Sequence, residues 1–187
     1  MNNLKLSQTR FITQTAFMIA LTVIFQVTTI GFGQLVTGSL VNLILIVTVA
    51  LTGEISGLVV ALLSPIFAFF LGIGPQFPQL IICIMLGNAV LVTTWFFLLK
   101  NQSTYRFSRL IFSAVSGAIL KFSVLWLLVV KLVLPFFLVA KIPTQSVQTL
   151  TQMFSLPQLI TALIGGVVGS IIIPQLNRIY RRSIQTN

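Results

Sequence analysis

Long apolar runs almost free of charge constrain this chain more than any other feature. Among 187 residues there is one acidic side chain, Glu54, and no histidine, against eleven Lys and Arg. A water-soluble domain of this size carries about a quarter of its residues as charges. Here the fraction is 6% and the mean hydropathy is +1.09. A chain of that kind uses lipid as its solvent.

A helix needs about 20 mostly apolar residues to cross the hydrocarbon core of a bilayer. Six such runs are read, over roughly 11–30, 35–51, 55–73, 80–99, 110–138 and 156–180. Transmembrane β-strands would alternate polar and apolar residues over about ten positions, and these runs do not. The expected fold is an all-α integral membrane protein, one six-helix domain over residues 1–187. Only Thr52, Gly53 and Glu54 separate the second run from the third, which predicts a tight helical hairpin. The fifth run is long enough to tilt or project, and Pro135 is expected to end or kink it.

Basic residues orient the helices. Lys5 and Arg10 precede the first run, Lys100, Arg106 and Arg109 follow the fourth, and Arg178, Arg181 and Arg182 close the sixth. The opposite loops hold only Lys141. Short loops rich in Lys and Arg stay on the cytoplasmic side, so both termini are expected to be cytoplasmic. The net charge of +10 follows from this bias and from attraction to anionic lipid, without nucleic acid. The first run has no small-residue cleavage site and five similar segments follow it, so it reads as a helix rather than a signal peptide.

The same inventory excludes most chemistry. Zinc sites need clusters of His or Cys, and a nucleophilic hydrolase needs a base beside its nucleophile. One Glu, the single Cys83 and no His supply neither, and no phosphate-loop motif is present. No enzyme, metal site or cofactor is expected. Proton or sodium coupling uses carboxylates or His at membrane depth, and none lies there. Uphill transport would take its energy from a partner.

What remains is a set of polar and small residues inside the runs. Ala16 and Ala20 share a helix face, as do Gly165 and Gly169. Such pairs let helices approach closely, either within the chain or against a partner. Lys121 lies roughly 16 Å into the fifth run at 1.5 Å per residue, where a charge costs about 3 kcal/mol. It is neutral, lines a wet cavity, or awaits an anion from outside. Snorkelling suits Lys131 better. Asn88 and Asn42 either bond to neighbouring helices or touch a ligand. Gln34, Thr37, Gln76, Gln79, Gln158 and Thr161 gather at the outer rim, with Trp126 on the helix of Lys121. Polar groups converging above apolar walls describe a small-molecule pocket. The polar segment 139–155 is either a short amphipathic helix or lid, or a tether.

The chain resembles the substrate-binding S components of energy-coupling factor (ECF) vitamin transporters. Size, six helices, inward termini and a basic tail match, together with Ala16-x-x-x-Ala20 on the first helix. The stretches Val36-Thr37-Gly38-Ser39-Leu40-Val41-Asn42, Ala61-Leu62-Leu63-Ser64-Pro65 and Gly72-Ile73-Gly74-Pro75-Gln76 are similar to the branch that includes pantothenate and pyridoxine or hydroxymethylpyrimidine carriers. The resemblance implies a multi-pass protein of the bacterial cell membrane that binds a vitamin outside. It implies docking through Ala16 and Ala20 onto a transmembrane coupling protein driven by two cytoplasmic ATPases, the whole component toppling to deliver its ligand. Unpaired Lys121 favours an anion, hence pantothenate. Pyridoxine or hydroxymethylpyrimidine would instead use amides such as Asn88, Gln79 and Gln158. A stand-alone facilitator or channel and a structural membrane protein are the readings from other classes.

Overall fold

The structure, a computed structural model, describes residues 2–100 and 106–185, with side chains placed over 8–100 and 106–179. Every regular element among them is helical. In chain order these are α1 (Asn2–Thr28), a 3-10 turn (Ile30–Phe32), α2 (Gly33–Thr52), α3 (Glu54–Phe70), α4 (Pro78–Leu99) and α5 (Phe107–Leu125). Trp126–Leu138 continues α5 in π geometry, and α6 (Thr144–Met153) and α7 (Leu156–Gln185) complete the chain.

Turn chemistry explains several boundaries. Gly53 alone joins α2 to α3 at φ +93, a conformation that costs a side-chain-bearing residue energy. The hairpin expected at Thr52–Glu54 is therefore present. α3 ends earlier than position 73. Gly72, at φ +70, donates its N–H to the Phe69 carbonyl and Ile73 donates to Ala68. That pair of bonds is the Schellman motif, which closes a helix through a left-handed glycine. Pro135 does not end α5, since the π-helical turns run on to Leu138.

Five stretches are long and apolar enough to cross a membrane: Gln8–Thr28, Ile30–Thr52, Pro78–Leu99, Phe107–Leu138 and Thr144–Ile179. The third expected span is the apolar 17-residue helix Glu54–Phe70, about 26 Å at 1.5 Å per residue.

The six long helices close into a ring. α1 packs on α2 and α3, α2 on α7, α7 on α5, α5 on α4, and α4 on α3. Across the interior α2 also meets α3 and α4. Short connections make chain neighbours antiparallel, so the beginning of α1 and the end of α7 lie at one end of the ring. The turn after α1, the α3–α4 loop and α6 lie at the other.

The two ends differ in their filling. Near the termini a cluster including Leu45, Ile46, Val60, Leu91, Trp95 and Ala114 is fully packed. At the loop end, Leu80, Cys83, Leu125, Val129 and Leu138 meet Leu150 and Phe154 from α6 and its C-terminus. This second cluster fills one side only; the other side is open. Segment 139–155 thus contains an amphipathic helix whose apolar edge is anchored over α4 and the α5 extension.

Candidate functional site

A cavity of about 340 Å³ opens in the loop-end half of the ring. Its walls come from α1 to α5, the α3–α4 loop, the C-terminus of α6 and the start of α7. Apolar groups, among them Ile30, Pro65, Ile81 and Phe154, make up much of the lining, with a few polar side chains set among them. That composition is usual for a small-molecule site.

Lys121 is the one charged residue on the wall and is 4% exposed. It sits about 21 Å along α5 at 1.5 Å per residue. Its Nζ donates to Asn42 Oδ1 at 2.5 Å and to Asn88 Oδ1 at 2.6 Å. Both amides are themselves held. Asn42 Nδ2 donates to Thr161 Oγ1 at 3.3 Å, and Thr161 donates to the Gln158 carbonyl at 3.1 Å. Asn88 Nδ2 donates to the Ala61 carbonyl at 3.4 Å.

The backbone explains that last bond. Pro65 sits four residues after Ala61 inside α3 and has no N–H, so the Ala61 carbonyl lacks its helical donor. Asn88 takes its place. The two amides are thereby oriented with their carbonyl oxygens toward the ammonium. An ammonium has three donors, and these two bonds leave one. The chain's single acid, Glu54, is in the first turn of α3 at the opposite end of the ring.

Further amides frame the mouth. Gln34 Nε2 donates to the Met153 carbonyl at 2.8 Å, and Gln158 Nε2 reaches the same oxygen at 3.3 Å. Together they tie the C-terminus of α6 to α2 and α7. Thr37 Oγ1 lies 2.8 Å from Thr29 Oγ1 and donates to the Thr29 carbonyl at 3.0 Å, bracing the turn between α1 and α2.

Six of the residues singled out by sequence therefore line the cavity: Gln34, Thr37, Asn42, Asn88, Lys121 and Gln158. Thr161 is buried directly behind Asn42. Gln76 and Gln79 are exposed and outside the lining, although Gly72, Ile73, Gly74 and Pro75 just before them form part of it. Trp126 is also outside it. Five residues beyond Lys121 is well round the helix, and the Trp126 ring instead lies 4.8 Å from Lys131 Nζ, as a cation–π contact.

Two polar lining residues were missed. Gln26 is 5% exposed in α1 and Ser64 is fully buried in α3. Gln26 lies in a run read only for its length, and the Ser-Pro step was noted for resemblance alone. A polar amide inside an apolar span and a Pro that frees a helix carbonyl were the available signals.

Ala16 and Ala20 are both exposed on α1, on a side also carrying Ile12, Phe17, Ile24 and Val27. No curated protein and no solved structure matches the chain. A pocket open at one end of a multi-pass helical bundle suits a substrate-capturing membrane subunit. The chain belongs to the family described as ECF transporter, substrate-specific component, whose model matches residues 10–176.

Proposed function

We propose that this protein captures a small, carboxylate-bearing water-soluble vitamin, pantothenate first among them, and hands it to an ATP-driven ECF coupling module. The carrying observation is Lys121, a buried amine on the cavity wall held by two amide oxygens with no acidic side chain beside it. A charge in such surroundings is costly without a counter-charge. A ligand carboxylate would supply one, and the oriented Asn42 and Asn88 amides hold Lys121 ready to meet it. The cavity volume of about 340 Å³ is at the small end of ligand sites, about 300–1,000 Å³, which suits a vitamin.

The proposed topology has six spans in a single domain, with both termini cytoplasmic and the cavity facing outward in the cell membrane. Arg10, Lys100, Arg106, Arg109 and Arg178 all fall at the termini end, as the positive-inside rule expects. α6 acts as part of the lid, and Ala16 and Ala20 meet the transmembrane coupling protein, whose two ATPases provide the energy.

Calorimetric titration of the detergent-solubilised protein with a vitamin panel tests the ligand. Pantothenate is expected to bind at submicromolar Kd, weakened about 100-fold in Lys121→Ala, as removing a charged hydrogen bond of about 3 kcal/mol requires. Tight binding of pyridoxine or hydroxymethylpyrimidine, indifferent to that substitution, would keep the family and remove the anion assignment.

A further inference from the structure

A second polar group lines the cavity, on α1 and α3. Gln26 Nε2 donates to the Ser64 carbonyl at 3.4 Å. A carbonyl can only accept, so this bond fixes which end of the amide is which. Gln26 Oε1 is then left buried with no partner, and so is the Ser64 hydroxyl. Both side chains line the cavity.

The state of Ser64 departs from the habit of this chain. Hydroxyls on its helices commonly fold back onto the carbonyl four residues earlier, as Thr22, Ser39, Thr48, Ser113 and Ser170 do. Ser56 instead bonds to Thr15. Ser64 does neither. Buried polar groups nearly always find partners, so two orphans side by side on one cavity wall point to a partner that comes with the ligand.

The ring order sets Gln26 and Lys121 on diagonal helices, with Ser64 on α3, the helix between α1 and α4. α1 packs on α2 and α3, whereas α5 packs on α4 and α7, so α1 and α5 are diagonal. We propose that Gln26 and Ser64 form a neutral hydrogen-bonding subsite that takes a hydroxyl group of the ligand, making the substrate a two-ended hydroxy-carboxylate. The ligand hydroxyl donates to Gln26 Oε1 and accepts from Ser64 Oγ. Gln26 Oε1 has only lone pairs to offer, so it repels a carboxylate and leaves that group to Lys121. The two ends together fix the direction in which the ligand lies. The carboxylate end rests on the function proposed above; the hydroxyl end does not.

A ligand-by-variant cycle tests it by calorimetry, with pantothenate and its analogue lacking the hydroxyls, and pyridoxine and its 4-deoxy analogue. Wild-type protein is expected to favour the hydroxylated member by about tenfold or more, the value of one hydrogen bond plus the cost of leaving its partner buried and unpaired. Gln26→Met is expected to abolish that preference while leaving the deoxy compound's affinity unchanged. Ser64→Ala, a smaller change, is expected to reduce the preference in the same direction, and the melting temperature of each variant reports folding separately. Equal losses for both members of a pair, or no change in preference, would overturn the subsite and leave Gln26 a packing residue. If wild type binds pyridoxine and not pantothenate, the anion reading fails, and the pyridoxine pair still decides the hydroxyl subsite. Absence of binding to every compound would overturn both.

Discussion

Helices α1 and α7 carry the same sequence device in opposite surroundings. Each has two small residues four apart, Ala16 and Ala20 in one, Gly165 and Gly169 in the other. α7 is wedged between α2 and α5. A Cβ built on Gly165 would lie 2.8 Å from Asn42 Cβ and from the Ser39 carbonyl oxygen, and 2.9 Å from the Leu43 nitrogen. α1 packs on α2 and α3 along one side and leaves its other side uncovered. Of its most apolar 18 residues 17% are buried, against 39% for the stretch containing α7, and both alanines face out. Small residues at that spacing signal a close helix approach. The spacing does not say whether the approaching helix belongs to the same chain.

The largest effect is expected where the approach is already complete. Gly165→Ala gains roughly 1 kcal/mol of helix propensity, but its methyl group would meet α2 backbone atoms that cannot move alone. Overpacking of that kind costs about 1–3 kcal/mol or more, so it outweighs the gain. The variant is expected to melt well below wild type and to bind vitamin more weakly, since Asn42 is displaced with α2. Gly169→Ala meets side-chain atoms, the Ile46 Cγ2 methyl at 3.0 Å and then Leu43 Cδ1 at 3.6 Å and Ile173 Cδ1 at 3.8 Å, and should be milder. A higher melting temperature for Gly165→Ala would mean that α2 and α7 are further apart than described.

A smaller effect is expected where α1 is tied to the ring. Thr15 Oγ1 donates to the Phe11 carbonyl at 2.8 Å and lies 2.8 Å from Ser56 Oγ on α3, where both residues are buried. Thr15→Val keeps the shape and removes that bond. Interhelical hydrogen bonds in membranes are worth about 0.6 kcal/mol on average, so thermal unfolding in detergent should shift by only a few degrees, with ligand affinity unchanged. A shift as large as that of Gly165→Ala would show that α1 is held as firmly as α7, and the contrast would lapse.

The contrast also shows which parts of the molecule could be read without coordinates. Charge and hydropathy located the helices, because an unpaired Lys or Arg in lipid is costly enough to leave a clear mark on sequence. Lys121 stood out for the same reason. Asn42 and Asn88 were left between structural bonding and ligand contact, and the structure shows the bonding, at two residues that also line the cavity. Each nitrogen holds a neighbouring helix, and each oxygen holds the cavity lysine. Gln26 escaped notice because an uncharged amide barely alters the hydropathy of a long run, and its direction depends on how α1 is rotated against α3. Trp126, Gln76 and Gln79 were grouped with the site by position along the chain, whereas helix rotation and the course of the loop decide where side chains point. The early close of α3 came from Gly72.

The smallest effect on the isolated protein, and the sharpest test of the contrast, is expected from Ala16→Leu combined with Ala20→Leu. Neither alanine is buried, so the added carbons enter lipid and displace no packed atom of the chain. Stability should change by no more than about 0.5 kcal/mol, as for substitutions away from packed features, and vitamin titration should be unaltered. Co-purification with the coupling protein and its ATPases should nevertheless fall at least about tenfold, because two leucines prevent the close approach that small residues permit. Retained assembly with a lowered melting temperature would place the pair in internal packing and erase the difference from Gly165 and Gly169. Lost assembly with intact binding would separate capture of the vitamin from its delivery. The cavity between α1 and α5 would then belong to the protein alone, and the outer face of α1 to the complex.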